Sequence, residues 1–429
     1  MKLQFQKSHT RRGISFLSSF SGGTLITIIV SASVIFGCRD NGTGVQNGAY
    51  PPDIRPLTTL EKAVVSSGNS FGIRLFVQIN DSEQNKNVFL SPFSVSMALG
   101  MTLNGADGTT LDSMKKVLGQ SDLSLQEIDE SYMNISNLLV NLDPCITMNI
   151  ANSVWYTNSL NVLPTFLNDC RTYFDAEVAS LDFTSPSAVQ TINGWVNSRT
   201  NGKISTIIDV IPRDVVMYLI NAIYFKGTWK YQFDPANTSV ATFTTPKGNS
   251  PCDMMYQRAR YVYHASGTEQ IVDMAYGNGQ FSMTVILPQQ GLSIDEYSQG
   301  LTEQKWDALT SDLDSTQVDL YLPKFKLDYE RALNDDLVAM GMGTAFFGPG
   351  FSHIATDPLV ITEVKHKTFV EINEEGTEAA AVTSIGMIRT VAEPAVPVMR
   401  MDRPFICAIR ERATGTILFL GKIVDPNAL

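Results

Sequence analysis

Basic charge is scarce in this chain. Its 429 residues carry 32 Lys and Arg against 43 Asp and Glu, a formal net charge of −11. The longest basic runs are the pairs Arg11-Arg12 and Lys115-Lys116. These are far too short to track a phosphate backbone, so neither nucleic acid nor a heparin-type polyanion is expected as a partner. Histidine is scarcer still: there are four, and only His264, His353 and His366 lie beyond the N-terminal segment. Nothing marks a Ser-His-Asp triad, so the chain is not expected to be an enzyme. The five cysteines are Cys38, Cys145, Cys170, Cys252 and Cys407. Their spacings match no zinc or redox motif, and no metal or cofactor is expected. Buried free thiols are the expectation for the last four, with a disulfide of unassigned pairing as the alternative that export would allow.

Long apolar runs are missing as well. Lys2, Lys7, Arg11 and Arg12 precede an uncharged, mostly apolar stretch of 13 residues at 24–36. That is short of the ~20 residues of a membrane-spanning helix and suits the core of a signal peptide. It ends in Ile35-Phe36-Gly37-Cys38, which resembles the lipobox of bacterial lipoproteins. Phe36 departs from the small residue usual there, and plain cleavage or an uncleaved anchor are the alternatives. The resemblance implies lipidation of Cys38 and an exported, bacterial cell-envelope lipoprotein, periplasmic or at the surface; secretion is the alternative. The membrane would then be engaged only through the N-terminal lipid. Residues 1–38 are thus read as a signal segment and 39–56, with Gly42, Gly44, Gly48, Pro51 and Pro52, as a flexible tether. Loss of residues 1–37 removes four basic and no acidic residues and takes the net charge from −11 to −15.

The remainder, 57–429, has ordinary globular composition, with 44% apolar and 17% charged residues in the whole chain. Phe71, Leu75 and Ile79 recur at helical spacing, and the apolar stretch 94–103 ends at Asn104-Gly105. Leu333, Leu337 and Met340 mark a further helix after a strand-like 318–322 and Pro323. The runs 281–287, 369–372 and 405–409 read as strands. Without an internal linker or repeat, this is one α+β domain.

About thirty residues between two of those strands break the alternation. A connection longer than ~12–15 residues is uncommon in a compact domain and is usually functional or disordered. Its first half, 377–387, is small, apolar or hydroxylic apart from Glu378. Thr377, Ala379, Ala381, Thr383, Ile385 and Met387 would share one face of a strand. The loop is composed so that it can become a strand. A mobile strand-like connector is the plainer reading of the same composition.

The segment 374–381, Glu374-Glu375-Gly376-Thr377-Glu378-Ala379-Ala380-Ala381, resembles the hinge of inhibitory serpins. Residues 87–104 (NVFLSPFSVSMALGMTLN), 221–233 (NAIYFKGTWKYQF), 322–325 (LPKF), 402–405 (DRPF) and 419–422 (FLGK) resemble further serpin segments in family order. The resemblance implies the serpin fold, with three β-sheets, eight or nine helices and an exposed reactive-centre loop at about 374–403. It implies a monomeric suicide inhibitor: a protease cleaves the loop, is held as an acyl-enzyme, and the cut loop inserts into the largest sheet. Fourteen residues span ~46 Å as a strand. The resemblance also places Ser91, Ser94, Asn221 and His366 in the shutter beneath the sheet, and Lys324, Glu374 and Trp229 in the breach at its top.

Family spacing counted from Thr377 sets the reactive bond at Thr390–Val391, suited to an elastase-like protease. Arg389 stands one residue upstream, and a trypsin-like enzyme would cut Arg389–Thr390 instead; both bonds stay open. Serine proteases are the implied targets, with cysteine proteases as a second class. The rival functional class is a non-inhibitory serpin-fold protein that binds ligands or acts as a chaperone at a surface.

Overall fold

The computed structural model describes residues 55–311, 314–377 and 396–428. The signal segment with Cys38, nearly all of the tether, the hinge residues Glu378, Ala379, Ala380 and Ala381, and the bonds at Arg389, Thr390 and Val391 lie outside the described residues.

The strands are β1 (Val88–Leu90), β2 (Ile146–Thr157), β3 (Glu177–Leu181), β4 (Met217–Thr228), β5 (Ser239–Thr245), β6 (Gly248–Ala265), β7 (Glu269–Ala275), β8 (Phe281–Pro288), β9 (Asp314–Pro323), β10 (Phe325–Ala332), β11 (Lys365–Ile372), β12 (Gly376–Thr377), β13 (Val398–Arg400), β14 (Phe405–Glu411) and β15 (Ile417–Ile423). The helices of six residues or more are α1 (Thr59–Ser82), α2 (Pro92–Leu103), α3 (Gly108–Leu118), α4 (Leu125–Val140), α5 (Pro164–Phe174), α6 (Pro186–Arg199), α7 (Ile294–Gln299) and α8 (Glu303–Ser311).

Two hydrogen-bonded sheets result. One has six strands in the order β10-β11-β12-β4-β2-β3; the other has nine, β1-β15-β14-β8-β7-β6-β9-β13, with β5 on β6. The three sheets implied by the resemblance are therefore two continuous networks among the described residues. The cause is β6, 18 residues long, which pairs with β5, β7 and β9 and carries hydrogen bonds from one region into the next.

Burial follows residue pattern. Every residue of β8, β14 and β15 is buried, as strands covered on both faces must be, the charged Arg410, Glu411 and Lys422 included. In β11 buried residues alternate with half-buried ones, the mark of a strand with one face inward. Phe225 of β4 packs edge-on against Phe281 of β8 at 5.7 Å, so the core lies between the two sheets. The opposite face of the six-stranded sheet is covered by α6, through a cluster of Trp155, Ile192, Trp195, Ile220 and Ala222.

Helix α1 buries Phe71, Leu75 and Ile79 completely and opens on a capping box of Thr58 and Glu61. The helix expected around Leu333, Leu337 and Met340 is shorter and broken. A turn Asn334–Leu337 passes into a π-helical stretch Val338–Met342 with Gly341 at φ +109°. The wider turn shifts the phase, so Met342 is buried and Met340 only partly. Cys170, Cys252 and Cys407 are buried free thiols, whereas Cys145, expected to be a fourth, is disulfide-bonded. Among the described residues no helix is long and apolar enough to cross a membrane.

Candidate functional site

The six-stranded sheet is interrupted. Strands β4 and β11 run parallel, and among the described residues no ladder joins them. Between them stands only β12, antiparallel to both: Thr377 pairs with Ile372 and Gly227, and Gly376 with Thr228. Gly376 has φ +150°, and a Cβ there would meet the Gly227 carbonyl oxygen at 2.1 Å. Only glycine lets the backbone enter at this point.

The entry is fixed from several sides. The Thr377 hydroxyl, buried, meets the Tyr276 hydroxyl at 2.7 Å. Tyr276 stacks on Trp229 with centroids 4.3 Å apart. Trp229 donates its indole N–H to the Asn373 carbonyl at 3.0 Å and its backbone N–H to the Glu375 carbonyl at 2.7 Å. The Asn373 side chain accepts from the backbone N–H groups of Glu375 and Gly376 at 3.0 and 3.3 Å. Lys324 lies 3.1 Å from Glu374, whose other oxygen accepts from Thr238 at 2.8 Å. Burial opposes the charge of Glu374, but hydrogen bonds from its own backbone and Thr238, with Lys324, outweigh it and hold the carboxyl below its ordinary value. Glu375 differs: burial and the neighbouring Glu374 raise its carboxyl.

Toward the far end of the gap, Asn221 of β4 and His366 of β11 stand on opposite banks, linked through the start of α2. Ser91 is the N-cap of α2, with Pro92 in the first turn. Its hydroxyl accepts from the Ser94 backbone at 3.2 Å and donates to the Leu418 carbonyl at 2.6 Å. Its backbone N–H donates to His366 Nε2 at 3.0 Å. The Ser94 hydroxyl donates to Asn221 Oδ1, and Asn221 donates to Asn152 at 2.7 Å. His366 is fully buried, and that burial pushes its pKa down to about 4.

Two openings follow the gap. A small cleft beside Thr377 is bounded by Phe225, Val370, Phe369, Glu371 and Lys203. At the far end a cavity of about 260 Å³ lies over Val95 and Leu99 of α2, with Leu219, Phe351, Ile354 and His366 around it.

The structure thus brings Ser91, Ser94, Asn221 and His366 into one cluster, and Lys324, Glu374, Trp229, Glu375, Gly376 and Thr377 into another. Gly376 and Thr377, read from sequence as loop, are strand. So are Val398 to Arg400, which pair in parallel with Asp319 to Tyr321 of β9. Asn152, Tyr276, Thr238 and Asn373 are partners that sequence reasoning did not find.

The serpin (serine protease inhibitor) family profile matches residues 66–426. Iripin-8 from Ixodes ricinus is 35% identical over 380 residues, covering 85% of this chain and 93% of that protein. The native-state structure of the thermophilic serpin tengpin superposes with a TM-score of 0.79 at 32% identity, covering 88% of this chain and 97% of that one. Human thyroxine-binding globulin complexed with thyroxine gives 0.79 at 29% identity, with 86% and 100% covered. The chain belongs to the serpin family and has its mixed α+β fold. Serpins are generally protease inhibitors rather than catalysts.

Proposed function

We propose that this chain inhibits serine proteases, and secondarily cysteine proteases, as a suicide substrate rather than acting as an enzyme. The observation that carries this reading is that, among the described residues, β4 and β11 are joined only through Gly376 and Thr377. Loop insertion in serpins is an established case of β-strand addition. What is particular here is the register. Thr377 lies opposite Gly227, so each further residue falls opposite the preceding residue of β4, and residue 390 reaches the level of Asp214.

In that register Ala379 and Ala381 pass Phe225 and Ile223 on the core side without steric cost. Thr383 arrives level with Asn221, beside the Ser94 and His366 cluster. Ile385 and Met387 arrive at the apolar cavity over Val95 and Leu99. Small, hydroxylic and large apolar side chains fall in the order in which the gap offers narrow, polar and roomy surroundings. Ser91, Ser94, Asn221 and His366 serve as the shutter through which the strands part, and Lys324, Glu374 and Trp229 order the breach where insertion begins.

The protease nucleophile attacks the carbonyl of Thr390, or of Arg389 for a trypsin-like enzyme, and the amine of the next residue leaves. Insertion of the freed strand strands the acyl-enzyme before water cleaves it. Incubation with elastase-, trypsin-, chymotrypsin- and papain-like proteases, followed by denaturing electrophoresis, tests this. A covalent complex is expected, with a released peptide that begins at Val391 or Thr390. Complete loop cleavage without any complex would instead favour a non-inhibitory binding role.

The lipobox-like sequence supports export to a bacterial cell envelope with Cys38 lipidated, the inhibitory domain tethered by 39–56 and otherwise monomeric. Palmitate labelling of the expressed chain should be lost in Cys38→Ser; labelling that persists would refute it.

A further inference from the structure

Three arginines share one sheet face in a chain whose net charge is −11. We infer that the outer face of β6, β9 and β13 is a docking surface for an acidic surface segment of the target protease, an inference that rests on the inhibitory reading above. The register sets this face in rows. Tyr256 lies opposite Tyr321 and Tyr321 opposite Arg400, while in the next row Arg258 lies opposite Asp319. Arg260, two residues beyond Arg258, shares their side of the sheet. Val318, Leu320 and Met399 alternate with these residues and are buried, so the face points outward. Arg258 and Arg260 are exposed, and Tyr256, Tyr321 and Arg400 are half-buried.

The side chains are held in place. Arg258 donates twice to Asp319, at 2.7 and 2.6 Å, and the Tyr256 hydroxyl donates to the same carboxylate at 2.8 Å. The Tyr256 and Tyr321 rings lie 4.8 Å apart, and the Arg400 guanidinium sits 3.7 Å from the centre of the Tyr321 ring. Asp402, just beyond β13, is taken by Arg403 at 3.1 Å. Arg260 and Arg400 have no ion pair among the described residues, so two unpaired positive charges flank an ordered tyrosine platform. Two charges are too few to hold a polyanion. Ordered tyrosine and arginine are, however, the residue types that anchor protein interfaces, and the complement of their charge is a carboxylate. Position selects the partner. Val398 stands seven residues after Val391, a distance the chain spans with at most ~25 Å. A protease domain of ~230 residues has a radius of gyration of ~17 Å, so an enzyme attacking the loop there is held within reach of this face.

The test uses the full chain and whichever protease of the panel above it traps fastest, with the second-order trapping rate measured against salt. Arg260→Ala combined with Arg400→Ala should lower that rate about five- to ten-fold at low ionic strength. The loss should shrink below about two-fold in ~1 M salt. The number of inhibitor molecules consumed per protease trapped and the melting temperature should stay as in the wild type, because neither residue touches the reactive bond or the gap. Arg260→Glu leaves β13 untouched and should slow trapping by at least as much. An unchanged rate in both variants, or a loss indifferent to salt, would overturn the inference while leaving inhibition standing. Heparin that accelerates wild-type trapping through the same two arginines would assign the face to a polyanion and overturn it as well. A wild-type chain that traps no protease would remove both readings.

Discussion

A buried polar side chain is costly unless it is hydrogen-bonded, and the floor of the gap is built from such groups. His366 shows the consequence most plainly. Its Nε2 accepts from the Ser91 backbone, a bond that only the unprotonated nitrogen can make, and burial pushes its pKa down to about 4. In the unfolded chain a histidine titrates near 6.5. Between about pH 6.5 and 4 the unfolded chain binds a proton that the native chain refuses, so native stability falls as pH drops through that window. The loss reaches on the order of 3 kcal/mol. Asp129 works in the opposite sense. Burial raises its carboxyl to about 7 despite a hydrogen bond from Asn104, so its contribution weakens as pH rises through the same range. The two trends overlap in the wild type, but the Asp129 trend is common to both chains and cancels in a comparison with His366→Asn. Urea unfolding should show the stability difference moving in favour of His366→Asn between pH 7 and 4; a constant difference would contradict a neutral buried histidine. The cluster residues Ser91, Ser94, Asn221 and His366 were legible through family resemblance. Tyr276 was not, because its partner Thr377 lies 101 residues along the chain, and nothing local to either residue announces the other.

Elements with strong period were readable before any coordinates. The four-residue spacing of Phe71, Leu75 and Ile79 is the buried stripe of α1, and the apolar run 281–287 is a strand buried along its whole length. Local pattern failed where pairing decides. Strand β10 alternates buried and exposed residues over Phe325, Lys326, Leu327, Asp328 and Tyr329, yet it was not separated from the helix that follows. Strands β12 and β13 are two and three residues long, and each exists only because a distant edge is available to it. The merging of sheets through β6 is likewise a matter of partners rather than propensity. The gap itself has no signature in β4 or β11, since an unused edge and a used one require the same alternating residues. What the sequence did carry was the strand-compatible composition of 377–387, the segment proposed to enter there.

For the molecule as a whole, two parallel strands that, among the described residues, share only the two residues of β12 offer sheet edges and a cavity to a further strand. A strand that filled them would bury Ile385 and Met387 and pair backbone groups on both sides. With each large apolar side chain contributing ~1.5–3 kcal/mol and the ladder adding to it, the gain is about 5–10 kcal/mol. Each kcal/mol is worth at least ~2 °C in a domain of this size. On the proposed mechanism, the C-terminal anchor of Val398 to Arg400 on β9 is what withholds this gain from the uncut chain. Cutting the loop removes the tether. The decisive measurement is the melting temperature of the purified chain before and after a single complete cut between residues 385 and 393. Strand insertion predicts a rise of at least about 10 °C, and a melting temperature that stays the same or falls after the cut would contradict it.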